Sequence, residues 1–165
     1  MWPARLRWGN RSVRLQTVRP TNWANPFFVR LSGPFARIAL SAEGATKTYK
    51  PFGPEDVTEE MRAPVLTVTA TGANPQSHQP YVAKAVLLLP IINGKAAEQG
   101  IQPVKAETFP ETWGNRLGAK LEGQGIVATF PLDKVPAGDF FVVVVAENAR
   151  ETRYQIKADL RPNIW

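Results

Sequence analysis

The feature that most constrains the fold is an apolar run near the end of the chain, Phe140–Ala146. The turn residues Pro136, Gly138 and Asp139 stand directly before it. Its β-branched and aromatic side chains are typical of a buried strand rather than a helix. A helix that spans a membrane needs about 20 apolar residues, so the run is too short for that role. The sequence therefore predicts a buried strand here.

The composition is that of a globular protein. The chain has 165 residues, of which 44% are hydrophobic and 21% are charged. This length fits one domain with a core large enough to be stable without disulfides. Cysteine is absent, which excludes disulfides and thiolate metal sites but is compatible with either redox compartment. No segment has the uninterrupted apolar length of a transmembrane helix.

Further strand-like runs, separated by turn clusters, occupy most of the chain. Strands are predicted at Ser12–Val18, Phe27–Leu31, Phe35–Leu40, Val65–Thr71, Tyr81–Leu89, Lys120–Glu122, Ile126–Leu132 and Thr152–Ala158. Short helical turns are predicted at Gly53–Met61 and, more weakly, at Pro110–Gly114. Asn93-Gly94 is a favoured hairpin dipeptide, but the residues after it favour a longer loop.

This pattern predicts an all-β fold, an antiparallel immunoglobulin-like β-sandwich of about 7–9 strands with one or two short helical turns. The stretch Pro-Ala-Gly-Asp-Phe-Phe-Val-Val-Val, which begins at Pro136, resembles the closing hairpin of immunoglobulin-like and transthyretin-like sandwich modules. Such modules are found in many exported bacterial proteins. The resemblance implies a sandwich fold and a periplasmic or extracellular location, although the sequence has no recognisable signal peptide.

Positive charge is concentrated at the N-terminus. The segment from Met1 to Ala42 has seven arginines and no acid, whereas thirteen basic and fourteen acidic residues follow it. We therefore divide the chain into a basic Trp/Arg-rich arm, residues 1–24, and a single β-sandwich domain, residues 25–165. Prolines throughout the N-terminal segment argue against the amphipathic helix of a mitochondrial presequence.

The arm is the main candidate for a binding site. Arginine offers planar bidentate donors and tryptophan a rigid apolar face, and both are enriched at binding hot spots. The candidate partner-binding residues are Trp2, Arg5, Arg7, Trp8, Arg11 and Trp23. A protein partner or a homo-oligomer is the leading expectation, with nucleic acid and an anionic membrane surface as alternatives. The competing interpretation is that the arm forms edge strands, with Trp on the core and Arg in solvent.

Two further tryptophans, Trp113 and Trp165, are possible secondary aromatic contacts. On a sandwich, exposed aromatic rings can stack on sugars, which makes a glycan-binding module a third hypothesis. The alternative interpretation of Trp165 is structural: its side chain holds the C-terminal tail against the sandwich domain.

The sequence contains few residues that could form a catalytic site. The single histidine, His78, lies in a polar loop beside Ser77, and adjacent residues rarely act as base and nucleophile without a third group. The acids Glu55, Asp56, Glu59 and Glu60 are more simply a solvated face of a short helix than a cation site. The sequence predicts a protein that is not an enzyme, with a hydrolase as the alternative. It predicts no cofactor, no metal and no small-molecule substrate.

Overall fold

The computed structural model describes residues 17–18, 27–72, 81–114 and 117–163. Its strands are β1 (Thr17–Val18), β2 (Phe28–Ser32), β3 (Val65–Thr71), β4 (Ala83–Ile92), β5 (Lys95–Ala96), β6 (Lys105–Gly114), β7 (Lys120–Pro131), β8 (Phe140–Ala146) and β9 (Glu151–Ile156). The α-helices are α1 (Pro34–Lys47) and α2 (Glu59–Arg62), and short 3₁₀ helices cover Pro54–Asp56, Leu132–Lys134 and Ala158–Asn163. Within these ranges no helix has the length and apolar character needed to cross a bilayer.

The strands form two antiparallel sheets. The five-stranded sheet has the order β1-β2-β3-β7-β6, and the four-stranded sheet has the order β5-β4-β8-β9. The hairpins β6-β7 and β8-β9 join sequence neighbours, whereas β4 pairs with β8 across a long separation. The expected all-β, antiparallel class is confirmed.

The core lies between the two sheets and takes side chains from β2, β3, β4, β7, β8 and β9. In β3 these are Leu66, Val68 and Ala70, and every second residue of that strand is buried. The largest fully buried side chains include Phe27, Phe130 and Phe140. Because strand side chains alternate between faces, one residue of slippage would turn this set toward solvent, so the apolar pattern fixes the register.

The prediction of a strand at Phe35–Leu40 is wrong. These residues lie in α1, which begins with Pro34 at its first position. Proline is tolerated there because the first N–H groups of a helix have no intrahelical partner. Alanine and leucine are strong helix formers, and they outweigh the apparent alternation of apolar residues. The fold thus contains a 14-residue helix in a segment for which the sequence predicted a strand.

Three further local predictions are also wrong. Pro110–Gly114 is the end of strand β6 rather than a helical turn. Asn93 and Gly94 form the tight two-residue hairpin between β4 and β5, with φ of 51° and 76°. Positive φ at both residues is the geometry of a type I′ turn, which Asn-Gly favours. The expected break at Gly123–Gly125 is absent from the described residues of β7, which runs unbroken.

A side-chain clamp at Arg37 of α1 holds the helix to the chain around α2 and β3. Its guanidinium donates to the carbonyl oxygens of Ser32 (3.2 Å), Met61 (3.3 Å), Ala63 (2.6 Å) and Val65 (3.2 Å). Burial lowers the pKa of the Arg37 side chain, and nearby Glu60 opposes that shift. One of the seven arginines of the N-terminal segment therefore has a structural role.

A buried tyrosine ties the two sheets together. The hydroxyl of Tyr154, on β9, donates to the backbone carbonyl of Phe27 at 2.5 Å, immediately before β2. Tyr154 is 2% exposed, and burial raises the pKa of its hydroxyl. Only the neutral hydroxyl can donate, so the bond depends on that protonation state.

Replacement of Tyr154 by phenylalanine tests this bond and its pH dependence. At about pH 8 we expect Tyr154→Phe to lower the free energy of unfolding by about 1–2 kcal/mol, because a buried carbonyl loses its donor. The folded-state pKa is raised, so the wild-type stabilisation is complete below about pH 10, the ordinary tyrosine pKa, and is lost as the pH rises further. Urea unfolding of both proteins up to about pH 11 measures the difference. A gap that stays constant over this range would contradict the assignment.

Candidate docking surfaces

The arm residues predicted to bind a partner, Trp2, Arg5, Arg7, Trp8, Arg11 and Trp23, lie outside the described residues, as do Ser77, His78 and Trp165. One part of the arm is described, because β1 falls within residues 1–24. It pairs with β2 through Thr17↔Arg30 and Val18↔Val29. The structure therefore places a two-residue edge strand inside the segment that the sequence assigned to the arm.

The position of β1 sets where the arm joins the body. β1 is the outermost strand of the five-stranded sheet, opposite β6 at the other edge. Residues 1–16 precede it, and an extended segment of that length spans about 50 Å. This segment contains Trp2 and Trp8.

Trp113 is half-buried on β6 and covers a glycine of the neighbouring strand. A Cβ atom added at Gly123 would lie 2.8 Å from Cη2 of the Trp113 ring, so that position needs glycine. Part of the indole surface thus packs on its own hairpin. The role of Trp113 as a secondary aromatic contact stays a prediction.

The acidic residues near α2 make local backbone bonds. A carboxylate oxygen of Asp56 accepts from the Gly53 N–H at 2.8 Å, and the Thr58 hydroxyl accepts from the Met61 N–H at 3.3 Å. Both contacts satisfy donors at helix starts. Among the residues that the structure describes, no three His, Asp or Glu side chains form a metal-binding group.

The outer face of the four-stranded sheet carries a second apolar surface. On β8 the inward side chains Phe140, Val142 and Val144 belong to the core, whereas Val143 points the other way. Val143 is nevertheless only 1% exposed, and its outward neighbour Leu89 on β4 is 7% exposed. Strand β8 is therefore apolar on both faces, as the continuous Phe/Val run requires.

A groove opens on this outer face. We call it the outer groove; it is lined by Leu87, Leu89, Ala96, Ala97, Glu98, Gly100, Val143, Glu151 and Arg153 and has a volume of about 420 Å³. The sheet register places Leu87, Val143 and Arg153 in one row across β4, β8 and β9. Gly100, in the segment after β5, packs on the Leu87 side chain and forms one wall. The floor is thus apolar and the walls carry the charges.

The charges of the outer groove are unevenly paired. Arg153 and Glu151 form an ion pair on the β9 side, with a nitrogen–oxygen distance of 3.0 Å and both side chains 49% exposed. Glu98 is exposed on the opposite wall and has no ion-pair partner among residues 17–18, 27–72, 81–114 and 117–163. An unpaired carboxylate beside an apolar floor suits a ligand that combines an apolar group with a cation.

Sequence reasoning missed the outer groove, although one signal pointed toward it. A sandwich strand with one solvated face alternates apolar and polar residues, and Phe140–Ala146 does not alternate. The absence of alternation predicts a covered outer face, but what covers it depends on the fold of residues 95–101. Those residues gave no strand or helix signal of their own.

No protein-family model, no curated protein and no solved structure matches this chain.

Proposed function

We propose that the protein is a non-catalytic interaction subunit, an immunoglobulin-like β-sandwich that docks onto a protein partner or an assembly through its N-terminal arm. The observation that carries the proposal is the contrast between arm and body. The arm combines arginines and tryptophans without a single acid, and the remaining chain is close to neutral. Tryptophan and arginine are the side chains most enriched at binding hot spots.

The attachment of the arm supports this function. Because β1 pairs with β2 at the edge of the five-stranded sheet, Thr17 and Val18 of the arm have a defined place on the body. A partner bound by the arm would thus be held beside the sheet edge, at a position that the body determines. Anchoring also limits the conformational freedom that the arm loses on binding, which favours affinity.

Two truncations test the proposal. Removal of residues 1–16 retains β1, whereas removal of residues 1–24 also deprives β2 of its edge partner. We expect the shorter truncation to melt within about 2 °C of the full chain, since no described strand is lost, and to lose association with the partner by at least about 100-fold. Calorimetry measures the first quantity. Affinity purification from source cells, followed by titration of the purified partner, measures the second.

The controls separate docking from folding and from charge. Trp2→Ala with Trp8→Ala keeps every arginine, so it should weaken a protein interface while leaving general attraction to polyanions almost unchanged. A loss of affinity that follows total charge and falls steeply with salt would favour nucleic acid instead. Unfolding of the 1–16 truncation would show that the arm belongs to the core, and unchanged association would show that it does not dock.

A further inference from the structure

We propose that the outer groove of one copy receives the N-terminal arm of a second copy, so that two chains associate by exchanging arms. This inference rests on the proposed docking role of the arm, and it identifies the outer groove as the surface that the arm binds. The accessible apolar side chains of the groove, Leu87, Ala96 and Ala97, take a tryptophan ring. Glu98, which forms no ion pair with a described residue, takes an arginine.

The groove and the arm carry complementary groups. Trp2 and Trp8 are each followed, three residues later, by an arginine, Arg5 and Arg11. Each pair supplies one large apolar face and one cation within a short length of chain. The groove offers the complementary pair, an apolar row beside a carboxylate, within about 420 Å³. This volume lies in the range of about 300–1,000 Å³ that is usual for small binding sites.

The apolar surface that the groove leaves accessible favours an occupant that is itself apolar. Val143 and Leu89 are already almost inaccessible to water, whereas Leu87 and Ala97 are half-buried and Ala96 is exposed. A tryptophan in the groove would extend this second apolar layer, and indole burial is among the largest apolar contributions of any side chain. A purely basic segment would gain only the contact with Glu98, which is exposed and therefore weak.

Strand β1 and the outer groove lie on different sheets, which favours exchange between copies. β1, the described part of the arm, is at the edge of the five-stranded sheet, whereas the groove opens on the outer face of the four-stranded sheet. Two copies related by a two-fold axis each supply one arm and one groove, giving a closed dimer with two identical contacts.

Full-length variants test the exchange by sedimentation velocity across a concentration series. The wild-type chain should form a dimer. The Glu98→Lys variant has a defective groove, and the double variant Trp2→Ala with Trp8→Ala has a defective arm. Each should raise the dimer dissociation constant at least tenfold. An equimolar mixture of the two variants should form a heterodimer, because one intact arm then meets one intact groove. The control is Glu107→Lys, an exposed acid on β6 of the other sheet, which should dimerise like wild type.

Charge exchange gives a second, independent readout. Glu98→Arg combined in one chain with Arg11→Glu should restore at least part of the association that Glu98→Arg alone removes. Circular dichroism checks that each variant is folded, which is expected because Glu98 is exposed. A monomeric wild-type chain, or a Glu98→Lys variant that dimerises like wild type, would overturn the inference. If the wild type is monomeric but the 1–16 truncation still loses another partner, the proposed function stands and only this receptor is wrong.

Discussion

Replacement of Phe140 by alanine is expected to lower the free energy of unfolding by about 4 kcal/mol. Phe140 is fully buried, points between the sheets and pairs with Ile156 on β9. Its loss removes a large apolar surface and leaves a cavity that the close-packed core cannot fill completely. Urea unfolding monitored by circular dichroism measures the change.

The adjacent residue provides the control for this prediction. Phe141 lies on the outer face of the same strand, opposite Leu89 and Gln155, and is only half-buried. We expect Phe141→Ala to lower the free energy of unfolding by about 1 kcal/mol, because Phe141 buries less apolar surface on folding than Phe140 does. Equal losses for the two variants would mean that the register of β8 is wrong, since a shift of one residue exchanges their positions.

Replacement of Arg37 by methionine is expected to lower the free energy of unfolding by about 3 kcal/mol. Methionine resembles the aliphatic part of the arginine side chain but donates no hydrogen bond. Four backbone carbonyls around α1, α2 and β3 would then lose a donor, the closest being that of Ala63 at 2.6 Å. Hydrogen bonds that involve a charged donor are worth more than neutral ones.

Arg62→Met is the matched control for the clamp. Arg62 makes one long hydrogen bond to an exposed carbonyl, that of Pro54 at 3.4 Å, so its replacement should change stability by less than about 0.5 kcal/mol. Arg37→Lys should recover only part of the loss, because an ammonium group lacks the planar fork that reaches several carbonyls. If Arg37→Met is as stable as wild type, the helix is held by its apolar contacts alone.

The sequence predicted best those elements whose side chains alternate or are continuously apolar. Val65–Thr71 has strict alternation and Phe140–Ala146 is an unbroken β-branched run, and both match their strands from first to last residue. In each, burial and intrinsic propensity favour the same structure. The hairpin of β8 and β9 joins two predicted strands that are neighbours in the sequence through a short polar link.

Elements that depend on their surroundings were missed. Strand β6 is a polar, mostly exposed edge strand that contains Pro110, so neither alternation nor apolarity marks it. The segment is a strand because it pairs with ten residues of β7. The clamp at Arg37 joins residues more than 20 positions apart, and no local pattern predicts it. The outer groove likewise exists only once β4, β8 and β9 lie side by side.

The strand order of the four-stranded sheet has a consequence for the chain during its synthesis. Strand β4 carries a long apolar sequence, and its principal partner β8 follows about 50 residues later. At 5–20 residues per second the ribosome needs about 3–10 seconds to supply that partner. Throughout this interval β4 presents apolar side chains and, on the side of β8, an unpaired backbone edge. Only β5 and the bridge from Ile101 to Leu88 are available to it by then. The nascent chain is therefore most exposed to aggregation between the synthesis of β4 and that of β8.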